Sequence, residues 1–342
     1  MAVTRDAGHA GAPEKAIEGR TLTIAQALNL ALHQEMERDP SVVVIGEDVG
    51  VAGGVFGVTK GLLEKFGPRR VLDTPISEAG FTGLAVGAAM TGLKPVVDLM
   101  FNDFATMAMD EIVNQAAHLR YMTGGQAALS LVIRTLIGGG RSFGTQHSQS
   151  LHAWFAHIPG LKVAMPATPA DAYGLLLTAI RDPNQVVFVE DKVEYGRKGP
   201  VTPDGVGIPF GRAAIHRVGS DVTIVATSSM VHLALAAADA LVSHGVQPEV
   251  VDPRTLVPLD REAIVASARR THAAVVVDEG YRSYGVTAEI AALISEALHA
   301  ELRRPVRRVG ARDVPIPYSP ALEKRVYPSV EDVVEAALAV AR

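Results

Sequence analysis

The feature that most constrains the fold is a regular alternation of short β-branched runs with longer segments of helical periodicity. Residues 42–45 (VVVI) are apolar throughout, which is typical of a strand buried on both faces of a parallel sheet. Before them, Thr23 and Gln26 fit a capping box, and the apolar residues that follow recur at helical spacing until Pro40. This alternation predicts an α/β fold whose mostly parallel sheet is covered by helices on both faces.

The pattern repeats on either side of a segment rich in glycine and proline that begins near residue 196. On the first side it predicts strands near 95–100, 129–134, 162–165 and 186–190, and helices near 58–66, 79–90, 104–121 and 169–181. On the second side it predicts strands near 221–227, 248–252, 274–278 and 305–309, and helices near 230–244, 260–270, 285–300 and 329–341.

Two domains are therefore expected, because 342 residues exceed the roughly 250–300 at which one hydrophobic core stops growing. We place them at 21–200 and 213–342, joined by a linker at 201–212. Residues 1–20 are polar and rich in Ala and Gly, without the apolar core of a secretory signal, and we expect a loose tail there.

Charge and composition exclude several classes of function. A net charge of -5 without a basic cluster argues against nucleic acid as a partner. The absence of cysteine excludes disulfides, a thiol nucleophile and cysteine-ligated metals, and fits a cytoplasmic location. No apolar run approaches the roughly 18 residues of a membrane span, so no membrane association is expected.

Two motifs suggest other chemistry, and we reject both. Residues 140–144 (GRSFG) match the nucleophile elbow of serine hydrolases, but a Gly-rich stretch separates Ser142 from the preceding predicted strand. His147, His152 and His157 are spaced by five, which rotates each off the previous one's helix face, and no H-E-x-x-H pattern is present. We interpret His152 and His157 as ordinary polar or capping positions before Pro159.

The helix predicted near 79–90 is unusually rich in small residues. Each helical glycine costs up to about 1 kcal/mol relative to alanine, so several together indicate the close approach of another helix or subunit. Glu78 is the carboxylate at the start of this element. Taken alone, a glutamate in such a loop is more often a solvated surface residue.

Four long segments of the sequence favour a functional role for Glu78 instead. They are DTPISEAGFTGLAVGAAMTGLKPVVDLMFNDF (73–104), AMDEIVNQAAHLRYMTGGQ (108–126), QHSQSLHAWFAHIPGLKVAMPATPADAYGLLLTAIRDPN (146–184) and VVDPRTLVPLD (250–260). Together they resemble the β subunits of thiamine-diphosphate-dependent 2-oxo acid dehydrogenases, from about residue 21 to the C-terminus. The resemblance implies a transketolase-like pyrimidine-binding domain followed by a transketolase C-terminal-type α/β domain. QHSQSL and RYMTGGQ look most similar to the acetoin and pyruvate dehydrogenases of this family.

The resemblance also implies roles for individual residues. Glu78 matches the glutamate that polarises the aminopyrimidine of thiamine diphosphate, whose own chemistry then removes the thiazolium C2 proton. Phe104 matches an aromatic that packs against the pyrimidine, and Met100 would form a wall of the same pocket. Glu47 and Asp98 would extend an acidic network from Glu78, although surface strand ends explain them about as well.

His147 matches the family's histidine near the reacting carbon, where an imidazole that titrates near neutrality would orient the substrate or transfer a proton. As a loop residue alone, it would be expected to make one backbone hydrogen bond and no more. Family members also bind potassium at a turn that corresponds to Ala179, Ile180, Asp182 and Asn184, with a further oxygen from Leu131. A plain helix C-cap explains that turn equally well.

One absence completes this prediction. Thiamine-diphosphate enzymes hold the diphosphate and Mg²⁺ with a Gly-Asp-Gly motif, which occurs nowhere in these 342 residues. The resemblance therefore implies an α subunit that supplies the Mg²⁺ ligands, an α₂β₂ heterotetramer, and docking to a lipoyl-bearing acyltransferase core.

The substrate stays open among pyruvate, a branched 2-oxo acid and acetoin, since Met107 stands where pyruvate enzymes often carry a polar residue. A branched-chain β subunit, a non-catalytic scaffold and a single-chain transketolase are the alternatives.

Overall fold

Two parallel sheets flanked by helices form the framework of the computed structural model, which describes residues 19–341. The strands are β1 (Arg20–Thr23), β2 (Val42–Gly46), β3 (Val71–Asp73), β4 (Lys94–Phe101), β5 (Val132–Ile137), β6 (Lys162–Ala164), β7 (Val186–Asp191), β8 (Lys198–Val201), β9 (Ala214–Arg217), β10 (Val222–Ala226), β11 (Pro248–Asp252), β12 (Thr255–Val257), β13 (Ala274–Tyr281) and β14 (Arg307–Ala311).

The helices are α1 (Ile24–Arg38), α2 (Leu62–Phe66), α3 (Glu78–Met90), α4 (Ala117–Met122), α5 (His152–Ala156), α6 (Pro169–Arg181), α7 (Met230–Ser243), α8 (Arg261–Thr271), α9 (Val286–Leu298), α10 (Pro320–Glu323) and α11 (Val330–Ala341). Short 3₁₀ segments lie at Asn102–Ala108 and Thr145–His147, and a π-helical segment at Asp110–Ala116. Of the tail expected at residues 1–20, residues 1–18 lie outside the described range.

The larger sheet has the strand order β12-β6-β7-β5-β4-β2-β3, and the smaller has β14-β13-β10-β11-β9. Both are parallel except for one antiparallel edge pair each, β12 with β6 and β9 with β11. The predicted α/β fold with mostly parallel sheets is therefore confirmed. Strand β12 follows β11 of the second sheet yet pairs with the first, and apolar residues of both halves form one connected buried cluster.

Three predicted elements differ from those observed. Gly61 has φ 81°, a left-handed conformation that delays α2 to Leu62, so that only the end of the predicted 58–66 helix forms. The predicted 104–121 helix is a succession of 3₁₀, π and α segments. The Thr106 hydroxyl donates to the Asp103 carbonyl and tightens the first of these.

The third difference is in β5, which spans Val132–Ile137 rather than 129–134 because its polar residues are paired inside the protein. The Arg134 guanidinium, 2% exposed, donates twice to Glu190 on β7 at 2.7 and 2.8 Å, and once to Asp98 on β4 at 2.9 Å. Burial alone would lower the pKa of Arg134, but Glu190 and Asp98 raise it well above its ordinary value. One side chain thus joins three adjacent strands near their carboxyl ends.

Among residues 19–341, no helix combines the length and apolar character needed to cross a bilayer.

We predict that Arg134→Met lowers the free energy of unfolding by about 3–5 kcal/mol, because it leaves two buried or half-buried carboxylates without a counter-charge. The measurement is the shift in the urea midpoint. The control is Arg217→Met, which breaks the pair with Asp239, 80% exposed in its side chain, and should cost less than about 1 kcal/mol. Equal losses in the two variants would contradict the role given to Arg134.

Candidate functional site

The carboxyl end of β4 is bent by a bulge at Met100. Pairing with β5 shifts register between Asp98 and Phe101, and Met100 adopts φ 50°, which is strained for a side chain of this size. The Met100 amide donates to Asp98 Oδ1 at 3.2 Å, and its carbonyl accepts from the Thr135 hydroxyl at 3.2 Å. Such strain costs of order 1–3 kcal/mol and tends to occur at functional sites. Here it turns the chain directly into the 3₁₀ segment that carries Phe104.

An aromatic cluster surrounds His147 at this bend. The ring centroids of Phe101 and Phe104 lie 4.8 and 5.1 Å from the imidazole, both edge-on, and Phe101 also meets Phe143 at 6.0 Å. These are favourable aromatic geometries. Phe104 and His147, both predicted to be site residues, are therefore in contact although 42 residues separate them. Met100 is the residue directly before Phe101 of this cluster.

Glu78 is the first residue of α3 and is half-buried. Glu47, at the end of β2, lies close enough to interact with it electrostatically. Burial raises the pKa of Glu47, and the charges of Glu78, Asp48 and Asp98 raise it further. Glu47 and Glu78 are thus close enough for their charges to interact, and Asp98, which also acts on Glu47, is paired with Arg134. This group of acids would repel an anion such as a diphosphate.

The small residues of α3 face two different environments. Gly83 lies against the Glu111 carboxylate of the π-helical segment, where a Cβ would be only 3.2 Å away. Gly87 has open space around it. Large apolar side chains are exposed on α3, in the segments just before and after it, and in the 3₁₀ segment that packs against it: Ile76, Leu84, Met90, Leu93 and Met107. An exposed apolar patch next to small helical residues is typical of a subunit interface.

The loop between β5 and α5, residues 138–151, carries His147 and is held by carboxylates of the second half of the chain. Glu279, at the end of β13, accepts from the Gly139 amide at 3.0 Å. Glu323, in α10 and 3% exposed, accepts from the amides of Gly140 and Ser142 at 2.8 and 3.1 Å. Sequence reasoning missed both residues, since neither lies in a local motif.

Two further contacts hold the same loop. The Tyr327 hydroxyl donates to the Ser148 carbonyl at 2.7 Å, and the Thr145 hydroxyl donates to the Ile316 carbonyl at 2.7 Å. The Tyr327 ring packs so close to Gly139 that a Cβ there would lie 1.9 Å from a ring carbon. Residues on both sides of His147 are thus fixed from the second half of the chain.

Ser142, in the rejected hydrolase motif, directs its hydroxyl at the Glu323 carboxylate (3.3 Å), which is a structural contact.

The interpretation of His152 as an ordinary polar position is wrong. Its side chain is fully buried, and Nε2 lies 3.0 Å from an Asp278 oxygen 126 residues away. Burial would raise the pKa of Asp278, but His152 and the hydrogen bonds from Thr227 and Gly280 lower it overall. His157 is exposed, as expected.

Two cationic side chains from other elements already contact the turn proposed for potassium. Lys162 Nζ lies 2.5 Å from an Asp182 oxygen, and Arg120 donates to Asn184 Oδ1 at 2.8 Å. The carbonyls of Ala179 and Leu131 each accept one amide hydrogen bond, which leaves a second lone pair free on each. Main-chain oxygens, the ligand type that the resemblance implies, are what this turn offers to a further cation.

Within residues 19–341, Asp171, His216 and Asp252 also place ligand atoms within 4.8 Å of one another. Arg254 Nε lies 2.7 Å from Asp171 Oδ1, so a guanidinium already neutralises this group. It is an ion-pair cluster between the two halves of the chain and needs no metal.

Comparison with known families gives two matches that together cover most of the chain. The family described as "Transketolase, pyrimidine binding domain" matches residues 20–198, and "Transketolase, C-terminal domain" matches residues 211–333. Among solved structures, the "Split gene transketolase, inactive beta4 tetramer" is similar with a TM-score of 0.76 and 27% identity, over 94% of this chain and 99% of that one.

Individual proteins are more similar still. The mitochondrial pyruvate dehydrogenase E1 component subunit beta-2 of Oryza sativa is 47% identical, over 93% of this chain and 86% of that protein. The pyruvate dehydrogenase E1 component subunit beta of Rickettsia felis is 47% identical, over 92% and 97%. The acetoin:2,6-dichlorophenolindophenol oxidoreductase subunit beta of Bacillus subtilis is 44% identical, over 93% and 97%.

We predict that Glu323→Ala loosens the loop that carries His147. The Gly140 and Ser142 amides lose an ionised acceptor, a bond worth roughly 1.5–3 kcal/mol, so their hydrogen exchange should accelerate at least about tenfold. Exchange resolved to peptides 138–151 measures this. Glu296→Ala, an exposed glutamate on α9, should leave these peptides unchanged. Unchanged exchange in Glu323→Ala would show that the loop is held without this carboxylate.

Proposed function

The chain belongs to the family of β subunits of thiamine-dependent 2-oxo acid dehydrogenases, and on this premise we propose that it supplies half of a thiamine-diphosphate site. The other half would lie on an α subunit. The observation that carries the proposal is the arrangement at the carboxyl end of β4. Asp98, whose charge acts together with that of Glu78 on Glu47, stands just before the bulge at Met100, and Phe101, which contacts the His147 ring, stands directly after it.

These residues fit the pyrimidine part of the cofactor and disfavour its diphosphate. A half-buried carboxylate can hydrogen-bond a ring nitrogen, and an aromatic face can pack against a heterocycle. The neighbouring charges are acidic, and Arg134, the cation that pairs with Asp98, is already bound by a second carboxylate. Together with the missing Gly-Asp-Gly motif, this favours an α subunit as the source of the Mg²⁺ and diphosphate ligands.

When bound, thiamine diphosphate supplies the carbanion chemistry that cleaves the substrate. Glu78 would hold a proton at the pyrimidine nitrogen, while Phe104 and Met100 pack against the ring and exclude water. His147 would orient the substrate and move a proton as the acyl group is transferred to the lipoyl group. The contacts of Phe101 and Phe104 with the imidazole hold its ring in position for that purpose.

The assembly we propose is an α₂β₂ heterotetramer docked to a lipoyl-bearing acyltransferase core. The exposed apolar patch around α3 is suited to a permanent subunit contact. The substrate class is pyruvate or acetoin, in line with the names of the relatives. The exposed Met107 near this patch would contribute to the choice, and a branched 2-oxo acid is the alternative.

A potassium ion and a cytoplasmic location also belong to the proposed function. Potassium would bind the turn at Ala179, Ile180, Asp182 and Asn184, with Leu131, through main-chain oxygens. The cytoplasmic location expected from the composition stays a prediction, since the relatives include both mitochondrial and bacterial proteins.

The test separates Glu78 from His147 in the chain assembled with its α subunit. We predict that Glu78→Ala loses both decarboxylation with an artificial electron acceptor and C2 proton exchange of the cofactor. His147→Ala should keep C2 exchange and part of the artificial-acceptor activity, but lose about 10²–10⁴-fold in lipoyl acylation, as expected when a proton donor is removed.

Matched controls are Glu64→Ala, an exposed acid in the first turn of α2, and His157→Ala, an exposed histidine in the same region as His147. Both should behave as wild type in all three assays. Wild-type turnover in Glu78→Ala would rule out the proposed cofactor role. Full activity in both site variants would support the scaffold alternative. Equal losses of artificial-acceptor activity and lipoyl acylation in His147→Ala would contradict the assignment of Glu78 and His147 to different steps.

A further inference from the structure

Lys192 is a fully buried lysine directly after β7, and none of the roles assigned above uses it. Its ammonium donates to the main-chain carbonyl of His147 at 2.5 Å and also to that of Gly138. These carbonyls lie at the two ends of the loop segment that carries the imidazole. One side chain therefore joins the end of β5 to the turn at His147.

The same ammonium contacts the aromatic cluster. Its nitrogen lies 5.7 Å from the ring centroids of both Phe101 and Phe143, within the range of cation–π attraction. Phe101 in turn contacts the His147 ring at 4.8 Å. Lys192 thus holds His147 in two ways, through its backbone and through the aromatic ring against its side chain.

The environment explains how the charge is tolerated. Burial lowers the pKa of Lys192, and Glu279, Asp191, Asp103 and Glu323 oppose this effect. Within residues 19–341, no carboxylate oxygen lies within ion-pair distance of its nitrogen. Two of its three N–H groups are directed at carbonyls, so its position serves to hold the backbone.

The turn needs such support because it holds itself weakly. It is a single 3₁₀ turn, Thr145–His147, and the His147 amide donates only a long bond, 3.3 Å, to the Gly144 carbonyl. We propose that Lys192 is a positioning residue for His147, which fixes the imidazole for acyl transfer. This inference rests on the proposed function of His147.

The experiment uses the α₂β₂ assembly and compares Lys192→Met, Lys192→Arg and Lys192→Gln. Misplacement of a reacting group by about 1 Å can cost about 10²-fold. Lys192→Met should therefore lower the kcat of lipoyl acylation at least tenfold, with the KM for the lipoyl domain and the artificial-acceptor activity retained. Lys192→Arg should recover part of the loss, because a guanidinium also donates to two carbonyls. If Lys192→Met does not assemble, Lys192→Gln, which keeps a neutral donor, provides the same comparison.

A double-mutant cycle identifies the route of the effect. If Lys192 acts through His147, Lys192→Met should change acylation less than about twofold in a His147→Ala background. Hydrogen exchange of peptides 144–149, measured without cofactor, should accelerate in Lys192→Met. The control is Lys94→Met, a partly buried lysine paired with Asp39 at the opposite end of the sheet, which should not change acylation.

Two results would overturn the proposal. One is wild-type acylation in Lys192→Met, and the other is an equal loss with and without His147, which would mean a general structural role. Failure of the proposed function gives a different pattern, since His147→Ala would then itself acylate at the wild-type rate.

Discussion

The buried guanidinium of Arg134 joins β4, β5 and β7 on the side of the sheet where these strands lead, at their carboxyl ends, into the candidate site. Without it, Asp98 on β4 and Glu190 on β7, the strands on either side of β5, would lose the cation that pairs with both, which costs several kcal/mol. Asp98 also accepts the Met100 amide at the bulge and adds its charge to the acidic group at Glu78. The charge that Arg134 balances on Asp98 is therefore linked both to the bulge before Phe104 and to the acidic group at Glu47 and Glu78.

The second half of the chain completes this site from the other side. Glu279, Glu323 and Tyr327 hold the loop around His147, and β12 extends the first sheet, while Lys192 of the first half connects the loop to β5. The polar backbone groups of a loop must find hydrogen-bond partners when the loop is packed against protein rather than water. Here carboxylates accept from the loop amides and a tyrosine hydroxyl donates to a loop carbonyl, which meets that requirement.

Sequence reasoning succeeded where the determinants are local. The 169–181 helix was predicted with its observed bounds, because Thr168 caps it and Pro169 begins it. It failed where pairing is long-range. Strand β5 was misplaced because the partners of Arg134 lie 36 and 56 residues away along the chain. His152 was misinterpreted because its partner, Asp278, lies 126 residues away. Glu78 and His147 belong to no local motif, and the family resemblance alone identified them. The contacts from Glu279 and Glu323 could not be predicted, since nothing in the sequence relates them to the loop.

We propose that this chain holds the pyrimidine half of a thiamine-diphosphate site and lacks the diphosphate half. Calorimetric titration of thiamine diphosphate with Mg²⁺ tests it directly, on the isolated chain and on the chain assembled with its α subunit. We expect no saturable binding to the isolated chain, and we expect binding by the assembly that weakens in Glu78→Ala. Saturable, Mg²⁺-dependent binding to the chain alone would contradict it.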